Sequence, residues 1–169
     1  LDYLLSQLQR QGITSKLLNV GSSAGLAAAK RGDCDLAGIH LLDPQTGEYN
    51  RSFLSAGLEL VSGYERSQGI VFRPADRRFA GRTVAEIVAL AVQDPQCLMV
   101  NRNQGSGTRI LIEQMLNGSK PSGYAVQPSN HNAVTAAIVQ GRADWGVAIE
   151  AVARDAGLGF LPFQQEHYD

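Results

Sequence analysis

The chain has 169 residues, is 44% hydrophobic and 18% charged, and carries a net charge of −1. This is the composition of an ordinary globular protein rather than a disordered or fibrous one. Lys and Arg are scattered, which indicates neither nucleic acid nor a membrane surface as a partner, and no apolar run reaches the ~20 residues needed to cross a bilayer.

In chain order, Leu1, Leu4, Leu5 and Leu8 form an amphipathic helical pattern stopped by Gly12. Because residue 1 already lies inside that pattern, the chain is expected to begin within a domain. KLLNV (16–20) reads as a short buried strand, and GSSAGLAAAKRG as a small-residue helix stopped by Gly32. LAGIHLL (36–42) is a second expected strand, followed by the polar loop DPQTGEYN and an apolar turn near Phe53. Residues 58–62 and 69–72 read as β-rich pieces on either side of GYERSQ. Thr83 and Glu86 fit a capping box opening a helix to about Val92, broken at Asp94-Pro95. CLMVN, YAVQ, DWGVAI and GFLPF are further expected strands, with helices after NQGSGT and SNHN. Strands alternating with helices predict a parallel α/β architecture.

Ala24, Ala27, Ala28, Gly32 and Asp35 recur as Ala133, Ala136, Ala137, Gly141 and Asp144 at a constant spacing of 109 residues. Small-residue helices packed tightly on a sheet converge on such a pattern, but it also suggests two similarly built lobes with polar loops at equivalent places. Three helix starts then follow strands and carry hydrogen-bonding groups: Ser22 and Ser23; the stretch Gln104, Gly105, Ser106, Gly107, Thr108 and Arg109; and Asn130 with His131. Unpaired N–H groups and the aligned peptide dipoles make a helix start a seat for an anion. In open parallel sheets, ligands gather beyond the carboxyl ends of the strands.

Each candidate also has a plain structural reading. Ser106 and Asn130 are natural N-caps. Arg109 has Glu113 at i+4, a surface pair worth about 0.3–0.5 kcal/mol. His40, on an apolar strand, is either a satisfied core histidine or a ligand contact. Tyr49 either forms part of a lid or caps a turn. Gly21-Ser22-Ser23-Ala24-Gly25 has the spacing of a serine-hydrolase elbow, but only twenty residues precede it and no oxyanion loop is visible. There is no P-loop, and Ile110 stands where a dinucleotide fingerprint needs its third glycine. Three scattered histidines lack metal-site spacing, so no metal is expected. Cys34 and Cys97 read as free thiols.

GSSAGLAAAKRGDCDLAGIHLLDPQTGEYN, NRNQGSGTR and the run from NHNAVTAAIVQGRADWGVAI to QQEHYD resemble the periplasmic-binding-protein-like domain related to molybdate-binding proteins. That family is found fused to molybdopterin-biosynthesis proteins or to helix-turn-helix domains. The resemblance implies a type II fold with two α/β lobes, 1–64 with 160–169 and 65–159, connected near 61–69 and 161–165. It also implies elements before Leu1 and after Asp169. The expected activity is non-catalytic binding of a small anionic or polar ligand, with molybdate or tungstate first among candidates and no cofactor. A fused enzymatic or DNA-binding domain and a cytoplasmic location are the remaining expectations, with an extracytoplasmic transport receptor or a serine hydrolase as alternatives.

Overall fold

The structure, a computed structural model, describes residues 2–18 and 20–169, with side chains from Leu5 onward. The chain divides into two compact units, Leu1–Ser62 with Tyr168–Asp169, and Gly63–His167.

In the first unit, helix α1 (Asp2–Arg10) runs into a turn with Gly12 at φ 77°. Helix α2 (Ser22–Arg31) stops at Gly32, whose left-handed backbone lets its N–H reach the carbonyls of Ala28 and Ala29. A 3-10 turn covers Arg51–Phe53. The strand expected over 36–42 is not formed. Ile39 and Asp169 exchange backbone hydrogen bonds of 2.7 and 3.0 Å, and Leu42 bridges Tyr49, but no longer ladder develops among the described residues. Residues 16–18 and 20 are likewise outside any strand, and Asn19 lies outside the described residues. Hydrophobicity alone produced those two expectations. Leu18 and Leu36 are in fact 66% and 74% exposed, and only Ile39 of the second run is buried, so neither run is enclosed along its length as a buried strand must be.

The second unit is built on a four-stranded sheet in the order β2-β3-β1-β4. Its strands are β1 (Tyr64–Phe72), β2 (Met99–Val100), β3 (Trp145–Ile149) and β4 (Gly159–Tyr168). The β2 and β3 strands pair in parallel, joined through helices as a parallel connection requires. The sheet is nevertheless mixed, because β1 lies antiparallel to β3. Strand–helix alternation predicts parallel pairing only for strands that end up adjacent, and β3 separates β1 from β2. β1 also absorbs YERSQ into one continuous strand, while 58–62 form none.

Successive residues of these strands point to opposite faces. Ile70, Met99 and Val147 pack with Phe79, Ile87, Ile112, Leu116 and Trp145 on one face. Val71, Val100 and Ala148 pack with Val134, Ala137, Ile138 and Ala153 on the other. Both faces are therefore covered, by α3 (Val84–Gln93) and α4 (Gly107–Leu116) on one side and by α5 (His131–Val139) and α6 (Glu150–Asp155) on the other. The Thr83–Glu86 capping box opens α3 with both of its reciprocal bonds. Gly146 is required where β3 runs beside β2, since a Cβ there would lie 2.7 Å from the Val100 carbonyl oxygen.

YAVQ is not a strand. Residues 122–128 run beside β2 and accept bonds from Met99, Asn101 and Asn103, but Tyr124 and Val126 spend their own N–H groups on local turns. Helix α6 went unforeseen, its six residues being too few for a helical period to show.

Candidate functional site

The two candidate helix starts of the second unit, those of α4 and α5, are capped as their sequences suggest. The Ser106 hydroxyl accepts the Arg109 N–H at 3.2 Å and donates to the Asn103 carbonyl at 3.0 Å. Asn130 Oδ1 accepts the Ala133 N–H at 2.8 Å. Capping satisfies one N–H of each helix and leaves those of the first turn's opening residues, Gly107 and Thr108 on α4 and His131 and Asn132 on α5, outside the helical ladder.

Between these two starts lies a residue the sequence reading passed over, Arg102. It leaves β2 directly after the buried Asn101 and is itself only 6% exposed. Its Nη1 lies 3.3 Å from Thr108 Oγ1 on α4 and 3.2 Å from both ring nitrogens of His131 on α5. Its Nη2 donates to the Ser129 carbonyl at 3.3 Å. Its Nε is buried with no hydrogen-bond partner. Among the described residues no carboxylate forms a salt bridge with it. Burial, and then the like charge of Arg66, push this guanidinium below its ordinary value. A buried cation without a counter-ion costs several kcal/mol unless something compensates it.

Arg109 has the opposite environment. It is 7% exposed, and its side chain donates to the Arg102 carbonyl at 2.9 Å and to the Tyr124 hydroxyl at 2.7 Å. It pairs with Glu113 and lies over the Tyr124 ring, 4.6 Å from the centroid. The Tyr124 hydroxyl donates in turn to Glu113 at 2.7 Å, and this bond, together with Arg109, holds the Glu113 carboxyl below the usual range. The i+4 pair is thus present, but as part of a half-buried network that fixes the loop. Gln104 and Gly105 are exposed at the loop's tip, Gly105 with φ 81°.

Of the other candidates, Ser22, Ser23, His40 and Tyr49 belong to the first unit. The Ser22 hydroxyl lies 2.8 Å from His40 Nδ1 and accepts the His40 backbone N–H at 3.2 Å. The His40 ring stacks on Tyr168 at 5.2 Å. Asn50, fully buried at φ 64°, bonds the Leu41 N–H and the Asp169 carboxylate. Tyr49 is half-buried and its backbone bridges Leu42. For the hydrolase reading, the histidine meets Ser22 and not Ser23, the elbow position, which is exposed. No strand precedes α2 among the described residues, so the strand–turn–helix that strains an elbow is not there.

A PBP superfamily domain model matches residues 5–169. The chain belongs to that family. As a PBP superfamily domain it has a type II periplasmic-binding-protein-like fold, a ligand-binding fold that is generally non-enzymatic. The chain is 26% identical over 160 residues to the Bacillus subtilis (strain 168) uncharacterized protein YvgK, covering 88% of this chain and 50% of that protein. It therefore spans half the length of that relative. An ABC-type phosphate transport receptor from Vibrio cholerae superposes with a TM-score of 0.67 at 14% identity, covering 99% of this chain and 79% of the receptor. The tungstate binding protein TupA from Desulfovibrio alaskensis G20 does so with a TM-score of 0.59 at 20% identity, covering 99% and 74%. These two likenesses bear on the fold.

Proposed function

We propose that this PBP domain binds a small oxyanion beside Arg102, at the starts of α4 and α5. The supporting observation is the buried Arg102 guanidinium, with an unpartnered Nε and no carboxylate paired to it. An anion received there gains a charge-assisted bond worth about 1.5–3 kcal/mol, together with the unladdered N–H groups of two helix starts. The Thr108 hydroxyl and the His131 ring, already within reach of Arg102, complete the donor set. Tetrahedral oxyanions suit such convergent donors, and the sequence resemblance favours molybdate or tungstate. By the same resemblance the domain serves sensing or delivery in molybdenum-cofactor metabolism, passing its signal to a fused domain.

Calorimetric titration with molybdate, tungstate, sulfate and phosphate tests this, using the wild-type chain and Arg102→Met. Affinity is expected to fall at least about tenfold in the variant, equivalent to about 1.4 kcal/mol. The ligand-free melting temperature should hold or rise, because an uncompensated buried charge is removed. Unchanged affinity in Arg102→Met, or no binding of any of the four anions by the wild type, contradicts the proposal.

A further inference from the structure

The main chain of Arg102 is held by side chains rather than by a strand. On either side of it, Asn101 and Asn103 donate their backbone N–H groups to the Val126 and Pro128 carbonyls at 2.9 and 3.2 Å. The Arg102 N–H goes instead to Asn101 Oδ1 at 2.8 Å, and its carbonyl accepts from Arg109 Nη1 at 2.9 Å. Both of these holding side chains converge on Tyr124. Asn101, fully buried, donates through Nδ2 to the Tyr124 carbonyl at 3.1 Å. Arg109 donates through Nη2 to the Tyr124 hydroxyl at 2.7 Å and through Nε to Glu113, with its guanidinium over the Tyr124 ring. The hydroxyl closes the circuit by donating to the same Glu113 oxygen at 2.7 Å.

We infer that Arg109, Tyr124 and Asn101 are positioning residues for the oxyanion site, fixing the Arg102 main chain so that its guanidinium is aimed before a ligand arrives. This rests on the oxyanion reading above and deepens it. The side-chain contacts of Arg102 itself, at 3.2 to 3.3 Å, lie at the long end of the hydrogen-bond range and hold it only weakly. Its direction must therefore come from the main chain. A guanidinium that has to be ordered on binding loses affinity to that ordering. Arg109 suits the task through its shape, since a planar fork meets three partners at once where an ammonium cannot. Its charge is already matched by Glu113.

The test titrates tungstate into the wild type, Tyr124→Phe and Arg109→Lys, and into the same two variants carrying Arg102→Met. Tyr124→Phe keeps the ring under Arg109 and removes only the hydroxyl. Arg109→Lys keeps the charge and removes the fork. Tungstate is expected to bind about threefold more weakly to Tyr124→Phe and about tenfold more weakly to Arg109→Lys, as when groups that orient a ligand-binding side chain are lost. Both losses should shrink to within about twofold when Arg102→Met is present, because the side chain being aimed is gone. A purely structural network would lower stability alike in both backgrounds and show no such dependence. A second measurement needs no ligand. The side-chain Nε–H NMR signal of Arg102, assigned by its loss in Arg102→Met, should be single in the wild type and broadened or multiple in Tyr124→Phe. That signal decides if Arg102→Met abolishes binding, and Tyr124→Phe decides if Arg109→Lys does not fold. Wild-type affinity in Arg109→Lys, equal losses in both backgrounds, or an unchanged Arg102 signal overturns the inference while leaving the oxyanion site standing. A wild type that binds none of tungstate, molybdate, sulfate and phosphate overturns the oxyanion reading itself, and this inference with it.

Discussion

Two arginines seven residues apart have opposite surroundings, and burial does not separate them, since both are nearly enclosed. Partners do. Arg109 has the Arg102 carbonyl, the Tyr124 hydroxyl and Glu113, so Arg109→Ala is expected to destabilise the fold by about 1.5–3 kcal/mol in urea unfolding, through lost charged hydrogen bonds. Direct loss of ligand contact is expected only from Arg102. In the sequence, NRNQGSGTR draws attention to Arg109 rather than Arg102, because Arg109 has a side-chain partner, Glu113, at a helical spacing and the side-chain partners of Arg102 are at none. Tyr124 and Ser129 reach the loop only through the tertiary fold. A trace was legible: a charged residue directly after a buried strand and before a helix start needs an explanation. The cysteines divide as clearly. Burial pushes the Cys97 thiol up to about 11, whereas Cys34 is only half-buried. Iodoacetamide at pH 8 is therefore expected to label Cys34 in the native chain and Cys97 only after denaturation. Rapid native labelling of both contradicts the packing around β2.

Helices were more legible than strands, for a physical reason. Helix limits are written in local chemistry: Gly32 ends α2, Thr83 and Glu86 open α3, and Ser106 and Asn130 open α4 and α5. A strand depends on a neighbour that sequence does not name. The runs at 16–20 and 36–42 have strand composition, yet ladders did not follow among the described residues, while YAVQ lost its donors to turns. The local nature of the α3 start gives a clean test. Thr83→Ala removes the acceptor of the Glu86 N–H and should cost about 1 kcal/mol, and Thr83→Ser should recover most of it. Equal loss in both variants indicates that the methyl group, not the cap, is what matters.

The charge balance of the whole molecule governs its response to acid. Asp76 lies below its usual value of 3.8 through the Arg78 hydrogen bond, and Glu113 below 4.5 through Tyr124 and then Arg109. A carboxylate whose folded value is depressed contributes fully above its unfolded value, and that contribution is lost as pH falls through the folded one. Thermal midpoints should therefore be steady down to about pH 5 and fall steeply below about pH 4, less steeply in Asp76→Asn. An identical slope in the variant contradicts the Asp76 assignment. A net charge of −1 also means that anion binding must come from local arrangement rather than overall attraction. The direct measurement is anomalous scattering at the tungsten edge from crystals of the chain grown with tungstate. One strong peak is expected within hydrogen-bonding reach of the Arg102 guanidinium, at the starts of α4 and α5. A tungsten peak elsewhere, or none in crystals whose Arg102 is unobstructed, would contradict it.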